Sequence, residues 1–387
     1  MEIKPFFDPA TSTLTYVVFD RASRDAVVID PVLDYDALTS TTSTVSLEGI
    51  AQFARELELR VHYALETHAH ADHLSGSQWV RDQLDAKIAI GARIVEVQKT
   101  FRDALDLQYL DTSGMQFDRL LEAGEGLTCG TLRIETIATP GHTPACLSYR
   151  IEDAVFTGDA LFIEDYGTGR ADFPGGDAET LYRSVKRLYA LPDATRVFPG
   201  HDYQPDGREL RWETTIGRSK QSNIHLRADT TLEEFVEMRR DRDRKLSPPR
   251  LLYPSIQVNV DGGRLPPAHS NGRRYLTIPV SVREPYVDVA PEYVASRRGD
   301  LRVVDVREDH EFHGVLGHVP GAELVPLATI ATRSDTWARD AEVVLVCHAG
   351  GRSVRAVGEL VQRGFTRLYN LKGGMLAWND AHLPVEH

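Results

Sequence analysis

The segment THAHADH (67–73) constrains the fold of this chain more than any other, because it places four potential metal ligands within seven residues. The preceding residues VHYAL (61–65) are typical of a short buried strand, and SGSQWVRDQLDA (75–86) favours a helix. The segment is therefore predicted to form the turn between a strand and a helix. Its candidate ligands are His68, His70, Asp72 and His73.

Three further candidate ligands each follow a strand-like run and each stand beside a glycine. They are His142 in TPGHT, Asp159 in FTGDA and His201 in FPGHD. In open α/β sheets functional groups collect where strands end, and glycine lets the backbone approach a metal closely. A single histidine is more often structural than functional, but seven ligand-type side chains in this arrangement favour a metal site. Imidazole and carboxylate without thiolate suit Zn, Fe(II) or Mn, which indicates a catalytic site.

Length and local pattern indicate a mixed α/β protein with more than one domain. The chain has 387 residues, and its first part alternates strand-like and helical patterns. TYVVFD and DAVVID within 15–30 predict an antiparallel hairpin. Proline and glycine later accumulate without periodicity, and buried strands then return. We predict a strand-rich domain at 1–250, a linker at 251–284 and a smaller α/β domain with a parallel sheet at 285–387.

Charge and hydropathy exclude several classes of protein. The net charge of −13 argues against nucleic acid and anionic membranes as partners. No apolar run approaches the ~20 residues that span a bilayer. The first residues, MEIKPFFDPA, lack the pattern of a targeting peptide, so we expect a cytoplasmic protein. The basic run RRDRDRK (239–245) contains aspartates and is predicted to be a solvated helix end.

The three cysteines are too few for a disulfide framework. Cys129 and Cys146 are expected to be buried structural thiols. Cys347 lies in CHAGGRS (347–353), which follows a buried strand and opens an amphipathic helix. Backbone N–H groups and the positive helix end would favour its thiolate, and Arg352 adds a full charge. The predicted anion cradle consists of His348, Ala349, Gly350, Gly351, Arg352 and Ser353.

THAHADH with the later GH, GD and GH resembles the metallo-β-lactamase fold, in which two β-sheets are sandwiched between helices. The same positions occur in zinc hydrolases such as glyoxalase II and in the glutathione persulfide dioxygenases (sulfur dioxygenases). The segment YGTGRADFPGGD (166–177) resembles the Gly-Arg-Ala/Thr-Asp-Phe segment of the dioxygenases. Glyoxalase II instead carries a Cys-Gly-Arg-Phe-Phe type segment there. The resemblance therefore favours the dioxygenases.

The dioxygenase resemblance implies one Fe(II) per chain, held by His68, His142 and Asp159. Two histidines and one carboxylate leave open positions for a persulfide sulfur and O2. The implied reaction converts glutathione persulfide and O2 to sulfite and glutathione. The other four candidates would orient the ligands and tune the iron, and the sequence leaves open whether they hold a second metal: His70, Asp72, His73 and His201.

Glutathione has two carboxylates, so its site needs cations and hydrogen-bond donors near the iron. The candidates are Arg170, Tyr203, Arg218, Lys220 and Asn223, with Tyr203 and Arg218 favoured by the resemblance. The sequence departs from the family here. The usual Asn-Pro-Arg is replaced by Asn223-Ile224-His225.

CHAGGRS, together with DVREDHEFHGVLGHVPGA (305–322) and LKGGMLAW (371–378), resembles the rhodanese sulfurtransferases over 285–387. The loop from Cys347 to Arg352 has six members, as in that family. The resemblance implies that Cys347 takes a sulfur atom from thiosulfate and passes it to glutathione. The sulfur donor, the direction of transfer and the number of subunits stay open.

The two resemblances together predict a persulfide dioxygenase fused to a sulfurtransferase, with glutathione persulfide as the shared compound. Its partners would be glutathione persulfide, glutathione, thiosulfate and O2. One alternative is a zinc-dependent thioester hydrolase of glyoxalase II type with a sulfurtransferase tail. Another is a rhodanese domain without catalytic activity that relays sulfur or docks a partner, against which the intact Cys347 and Arg352 argue.

Overall fold

The structure is a computed structural model, and it describes residues 1–37, 41–267, 281–283 and 286–387. The chain divides into two compact units. The first contains Met1–Tyr35 and Thr42–Pro266, and the second contains Asp36–Thr41 and Pro267–His387.

Up to residue 267 the described chain contains fifteen strands and seven α-helices. The strands are β1 (Glu2–Asp8), β2 (Thr13–Phe19), β3 (Asp25–Ile29), β4 (Val32–Asp36), β5 (Thr41–Ser43), β6 (Arg60–Leu65), β7 (Leu74–Ser75), β8 (Lys87–Gly91), β9 (Arg119–Leu121), β10 (Gly126–Cys129), β11 (Leu132–Ala138), β12 (Leu147–Ile151), β13 (Ala154–Gly158), β14 (Arg196–Pro199) and β15 (Thr214–Thr215). The helices are α1 (Val45–Glu56), α2 (Ser77–Leu84), α3 (Ile94–Ala104), α4 (Ala178–Leu188), α5 (Ile216–Ser222), α6 (Leu232–Asp243) and α7 (Leu252–Asn259).

Two six-stranded sheets form the centre of the first unit. One has the order β1-β2-β3-β6-β8-β9, antiparallel through β3 and parallel from there to β9. The other runs from β10 to β15 in sequence order, with β13 and β14 parallel. The predicted hairpin is confirmed, because β2 and β3 pair with Tyr16 opposite Ile29.

Strand β2 shows why the two sheets pack as the inner layers of a sandwich. Leu14, Tyr16 and Val18 face the core between the sheets, while Val17 and Phe19 face the opposite core around α1. Because side chains alternate across a strand, a strand buried on both faces reads as a continuous apolar run. The predicted sandwich of two sheets between helices is thereby confirmed.

An aromatic cluster fills the space between the sheets. The ring centroid of Tyr16 lies 5.2 Å from that of Phe156 and 5.4 Å from that of Phe198. The Tyr16 hydroxyl donates to the carbonyl of Pro199, at 2.7 Å. Outside the second sheet, Leu181, Val185 and Leu188 pack one face of α4 on that sheet, as their periodicity predicts.

The first unit extends past the predicted boundary at 250 to Pro266. Helix α7 covers the start of the predicted linker, and Ile256 and Val260 are buried in a core that includes residues of α3. The apolar residues of this segment pack on the unit despite the neighbouring prolines. Residues 268–280 and 284 of the predicted linker lie outside the described residues, as does residue 285, the first of the predicted second domain.

The second unit carries a mainly parallel sheet. Its strands are β16 (Ser281–Arg283), β17 (Tyr286–Val289), β18 (Arg302–Asp305), β19 (Glu323–Leu324), β20 (Val343–Val346) and β21 (Leu368–Leu371). Its α-helices are α8 (Pro291–Arg297), α9 (Asp309–Phe312), α10 (Ile330–Arg333), α11 (Gly351–Gln362) and α12 (Gly374–Asp380). The order is β16-β17-β21-β20-β18-β19, with β16 alone antiparallel among these described strands. The predicted parallel sheet is confirmed.

Each face of this sheet is covered. Leu345 contributes to a core with Leu360 of α11, and Val344 contributes to a second core with Met375 and Trp378 of α12. In the part of the chain that the structure describes, no helix is both long enough and apolar enough to cross a membrane.

Replacement of Phe156 tests the role of the aromatic cluster. Phe156→Ala should lower the free energy of unfolding of the first unit by ~3 to 5 kcal/mol, because it leaves a cavity between the two sheets. Met115→Ala is the control, since Met115 is 72% exposed and its loss should cost less than ~0.5 kcal/mol. Urea denaturation followed by circular dichroism measures both, and equal midpoints would contradict the proposed packing role.

Candidate functional site

Strand ends bring the candidate ligands of the first unit together. His68 follows β6 of the first sheet, and His142, Asp159 and His201 follow β11, β13 and β14 of the second sheet. The N–H of Leu147 at the start of β12 donates to the carbonyl of Thr67, at 2.9 Å, and joins the sheets at this edge. The site therefore lies at the seam between the two sheets.

Gly158 shows why a glycine precedes Asp159. Its φ is +49°, which disfavours a side chain, and a Cβ there would lie 2.5 Å from the hydroxyl oxygen of Thr67. The same hydroxyl donates to Asp30 at 2.8 Å and lies 3.0 Å from Nδ1 of His68. The close approach of two backbones thus fixes the start of the THAHADH turn.

The first cluster consists of His68, His142 and Asp159, with one ligand atom of each within 4.8 Å of the others. Nδ1 of His142 lies 2.7 Å from the carbonyl oxygen of Arg170, so Nδ1 carries the proton and donates. Nε2 is then an acceptor, and it lies 3.7 Å from Oδ2 of Asp159. Because the Thr67 hydroxyl donates to Asp30, it accepts from Nδ1 of His68, which likewise leaves Nε2 as an acceptor.

The second cluster consists of His70, Asp72, His73 and His201, again within 4.8 Å. Nε2 of His201 lies 3.0 Å from Oδ2 of Asp72 and 3.4 Å from Oδ1 of Asp159. Asp159 thus presents one oxygen to each cluster. The structure brings together all seven side chains that the sequence singles out, while their role as ligands stays a prediction.

The buried donor atoms at this site fit a metal ion. Among the described residues, six of them make no hydrogen bond: His68 Nε2, both ring nitrogens of His70, His73 Nε2, Asp159 Oδ1 and His201 Nε2. Leaving a buried polar atom unpaired is costly, and a cation would satisfy these atoms. Burial and the neighbouring imidazoles lower the pKa of His68 and His73, which keeps both neutral as metal binding requires. Nitrogen and oxygen donors suit Fe(II), Zn or Mn.

His70 has a second environment that the sequence does not reveal. Its Nε2 lies 3.0 Å from Oδ1 of Asp30 and 3.5 Å from Oε2 of Glu66. Burial lowers the pKa of His70, but the two carboxylates more than offset this and raise it well above its usual range. These three residues form a further group of metal-ligand type. The available sequence signals were the positions of Asp30 at a strand end and of Glu66 directly before THAHADH.

A buried ion pair supports the loop beside His142. Arg239 is 1% exposed and lies 2.6 Å from Asp243, whose other oxygen accepts from the N–H of Ala171 at 3.0 Å. Arg239 also donates to the carbonyls of Thr168 and Gly169, at 3.1 Å. The prediction that 239–245 forms a solvated helix end is wrong for Arg239 and Asp243, which are one turn apart and face inward, whereas the intervening residues are exposed.

His225 packs against the same loop. Its Nδ1 accepts from the N–H of Thr168 at 2.9 Å, and burial beside Arg239 and Arg242 lowers its pKa to about 3. The residue that departs from the family pattern is therefore a neutral support of the loop.

Two of the proposed glutathione contacts lie close to the candidate ligands. Arg170 contributes the carbonyl that orients His142, but its guanidinium makes a bidentate pair with Asp172, at 2.6 and 2.8 Å. Tyr203 stacks on His201 with the ring centroids 5.4 Å apart and is 38% exposed. The ring of Tyr203 also stacks on Tyr166, with the centroids 4.5 Å apart, so Tyr203 is a partly exposed side chain beside the second cluster.

The other three candidates differ in what they offer to a ligand. Arg218 is exposed and lies 3.4 Å from Glu164, whereas Lys220 pairs with Asp193 at 2.5 Å. Asn223 is buried. Its amide donates to the carbonyl of Gly167, and its oxygen accepts from two backbone N–H groups. These bonds tie Asn223 to the loop, and its contact with glutathione stays a prediction.

In the second unit, Cys347 directly follows strand β20 and lies in a cradle of donors. The N–H of Gly350 points at its Sγ from 3.1 Å, and the Ser353 hydroxyl does so from 3.3 Å. Burial opposes ionisation, but these donors with the N–H groups of Ala349 and Ser353 lower the pKa of Cys347. The exposed side chains of His348 and Ala349 lie at the mouth of the loop.

Arg352 is held by a neighbouring carboxylate. Its guanidinium makes two contacts of 2.6 Å with Glu311, and this pairing lowers the pKa of Glu311 to about 2. The carboxylate of Glu311 therefore partly neutralises the positive charge that Arg352 presents to the Cys347 loop. Glu311 is a further residue that sequence reasoning missed.

Comparison with known proteins agrees with this geometry. Residues 9–201 match the Metallo-beta-lactamase superfamily, and residues 290–381 match the Rhodanese-like domain. A Burkholderia pseudomallei (strain 1710b) protein named "Probable metallo-hydrolase" is 44% identical over 291 residues, which cover 72% of this chain and 99% of that protein. This chain belongs to the metallo-beta-lactamase superfamily. It also carries a rhodanese-like domain.

This chain also resembles proteins named ETHE1, one of which is named as a persulfide dioxygenase. The mitochondrial persulfide dioxygenase ETHE1 of Bos taurus is 35% identical over 239 residues, which cover 61% of this chain and 79% of that protein. The crystal structure of ETHE1 from Myxococcus xanthus is 32% identical, covers 68% of this chain and all (100%) of that one, and has a TM-score of 0.55.

Alkylation tests the sulfur cradle. Cys347 should react with iodoacetamide at neutral pH before Cys129 and Cys146, whose pKa burial raises to about 12. Because the thiolate reacts, the rate should rise with pH through the pKa of Cys347. Ser353→Ala removes one donor to the thiolate and should lower the rate at pH 7 about two- to tenfold.

The matched control is Ser334→Ala, since Ser334 is a buried serine that donates to Ala331. Mass spectrometry of tryptic peptides measures the reaction at each cysteine. Equal rates for the Ser353→Ala and Ser334→Ala variants would contradict the assigned cradle.

Proposed function

We propose that this chain is an Fe(II)-dependent glutathione persulfide dioxygenase fused to a thiosulfate sulfurtransferase. The observation that carries the proposal is the buried group of His68, His142 and Asp159, whose ligand atoms lie within 4.8 Å of one another. The carbonyl of Arg170, in the segment that resembles the dioxygenases, contacts His142. The resemblance to ETHE1 proteins supports the reaction, and the rhodanese-like domain supports the sulfur transfer.

His68, His142 and Asp159 would hold the iron. When bound, iron(II) supplies a site at which a persulfide sulfur and O2 can meet. The overall reaction balances as glutathione persulfide, O2 and water giving glutathione, sulfite and two protons. The N–H at Nδ1 of His142 donates to the Arg170 carbonyl, which fixes the orientation of the ring and would leave Nε2 for the metal.

The chain would bind the peptide part of the substrate beside the second cluster. The partly exposed Tyr203 lies there, and the exposed Arg218 would offer a cation for a glutathione carboxylate. Arg170 would act through its carbonyl and its pair with Asp172 rather than as a free cation.

Sulfur transfer would use the thiolate of Cys347. The thiolate attacks the outer sulfur of thiosulfate, the bond between the two sulfurs of the donor breaks, and sulfite leaves with the electron pair. The resulting enzyme persulfide gives its outer sulfur to the thiol of glutathione, and Cys347 returns as the thiolate. Gly350 and Ser353 would stabilise the negative sulfur in both forms. The product, glutathione persulfide, is the proposed substrate of the iron site.

A zinc-dependent thioester hydrolase is the second candidate, and two observations favour it. The relative named as a metallo-hydrolase has the higher identity, and Asp159 faces a second cluster able to hold another ion. Metal analysis of protein purified without added metal distinguishes the two functions. One iron per chain supports the dioxygenase, and two zinc ions support the hydrolase.

Substitution of an iron ligand should separate the two activities. His142→Ala or Asp159→Ala should remove iron and abolish oxygen uptake with glutathione persulfide, because each deletes one of three proposed ligands. Sulfur transfer from thiosulfate should persist, since Cys347 lies in a separate core. Iron content is measured by mass spectrometry and oxygen uptake with an electrode. Full iron with full oxygen uptake in either variant would refute the assignment.

Substitution of the nucleophile tests the fusion. Cys347→Ser keeps the size and hydrogen bonding of the side chain but removes the thiolate, so no enzyme persulfide can form. The variant should consume oxygen when glutathione persulfide is supplied, and it should not when only thiosulfate and glutathione are supplied. The unmodified protein should consume oxygen under both conditions. Normal uptake by Cys347→Ser from thiosulfate and glutathione would show that the rhodanese domain does not supply the iron site.

A further inference from the structure

The side chain of Asn259, at the end of α7, contacts the backbone of the THAHADH turn. Its Nδ2 donates to the carbonyl of His70 and to the carbonyl of His73, both at 2.8 Å. Its Oδ1 accepts from the N–H of Ser75 at 2.7 Å. The residue is 4% exposed, so the three hydrogen bonds are shielded from water.

These contacts use both donors of the amide and bind two residues of the second cluster. An amide group is planar and its two N–H directions are fixed, so the carbonyls of His70 and His73 are held at one separation. Asp72 lies between them and places its carboxylate 3.0 Å from His201. The geometry of the turn that presents Asp72 and His73 to the cluster is therefore set from outside the turn.

Helix α7 is itself anchored independently of these contacts. Gln98 of α3 donates to the carbonyl of Val260 at 2.8 Å, and Gln78 of α2 donates to the carbonyl of Gly262 at 2.9 Å. Ile256 is fully buried in the adjoining apolar core. Asn259 therefore lies on a segment of the chain that is held in place by other contacts. A residue that positions a loop requires such a fixed segment.

We propose that Asn259 is a positioning residue of the metal centre, holding the THAHADH turn, which carries His68 of the first cluster and His70, Asp72 and His73 of the second, in the geometry in which it binds a metal. The inference rests on the proposed function only in that the turn binds a metal, whichever reaction follows. It predicts that loss of the Asn259 amide weakens and distorts metal binding beyond any effect on the fold. Groups that orient metal ligands typically change metal affinity by about 10- to 100-fold when they are removed.

The test compares Asn259→Ala and Asn259→Asp with the control Gln78→Ala in the full chain. Asn259→Asp keeps the shape of the side chain and an acceptor for Ser75, but it faces the two carbonyls with an oxygen instead of a donor. Gln78→Ala removes one hydrogen bond to the segment after α7 without touching the turn. Co(II) added to the metal-free protein serves as the probe, because its visible spectrum reports both affinity and coordination geometry.

Both Asn259 variants should bind Co(II) about 10- to 100-fold more weakly than the unmodified protein and with an altered spectrum. Gln78→Ala should match the unmodified protein within about twofold in affinity, and its spectrum should be unchanged. The melting temperatures of the metal-free proteins show whether the effect exceeds a loss of stability. Should Asn259→Ala fail to fold, Asn259→Ser, which keeps one hydroxyl for one carbonyl, gives the same comparison at smaller amplitude.

Unchanged Co(II) affinity and spectrum in the Asn259 variants would overturn the inference, as would equal weakening in Gln78→Ala. The proposed function fails by a different result, namely two zinc ions in the purified protein or no oxygen uptake. Either of those results would leave the Co(II) comparison, and hence the assignment of Asn259, intact.

Discussion

The burial of imidazole and carboxylate groups at the seam between two sheets is the constraint on which the first unit depends. A buried polar atom without a partner costs free energy, and this seam concentrates several of them. The candidate ligands lie at strand ends or in the turn after β6, and the sheets fix the positions of these segments. This fixed backbone holds the unpaired atoms in place despite their free-energy cost. Around the free atoms the other ring nitrogens are committed, that of His142 to a backbone carbonyl and that of His68 to a threonine hydroxyl. A bound cation would give the unpaired ring nitrogens and carboxylate oxygen a partner.

In the second unit, hydrogen bonds stabilise a charged nucleophile, whereas in the first unit the ligand atoms lack hydrogen bonds. Cys347 is as buried as the thiols of Cys129 and Cys146, yet its pKa is lowered while theirs are raised. Burial disfavours a thiolate at all three cysteines. More donors point at the sulfur of Cys347, from Ala349, Gly350 and Ser353, than at that of Cys146, which accepts from Thr143. The two units thus meet different needs with local hydrogen bonding: one keeps ring nitrogens free for a metal, and the other keeps a sulfur negative.

Local sequence patterns predict the sheets and the candidate ligands well. His142, Asp159 and His201 each follow a strand and a glycine, and the other four candidates lie in one turn after β6, and both of these patterns are short-range. The same reasoning missed Asp30, Glu66 and Asn259, which reach the turn only through the fold. Asn259 lies more than 180 residues from the carbonyls it binds. Helix α7 was expected to be a linker because neighbouring prolines and glycines obscure eight residues whose burial depends on tertiary packing.

The contact between His142 and the carbonyl of Arg170 has a consequence for the tolerance of the site to mutation. The acceptor is part of the main chain, so it is present whichever amino acid occupies position 170. Substitution of residue 170 can therefore change the charge at the surface, and with it the preference for a ligand. Such a substitution would leave the tautomer of His142 unaltered. Arg239 and Asp243 hold the same loop through side chains and have no such freedom. Selection for new substrates would then change the solvent-facing side chains of this loop, while its contacts with Arg239 and Asp243 stay constant.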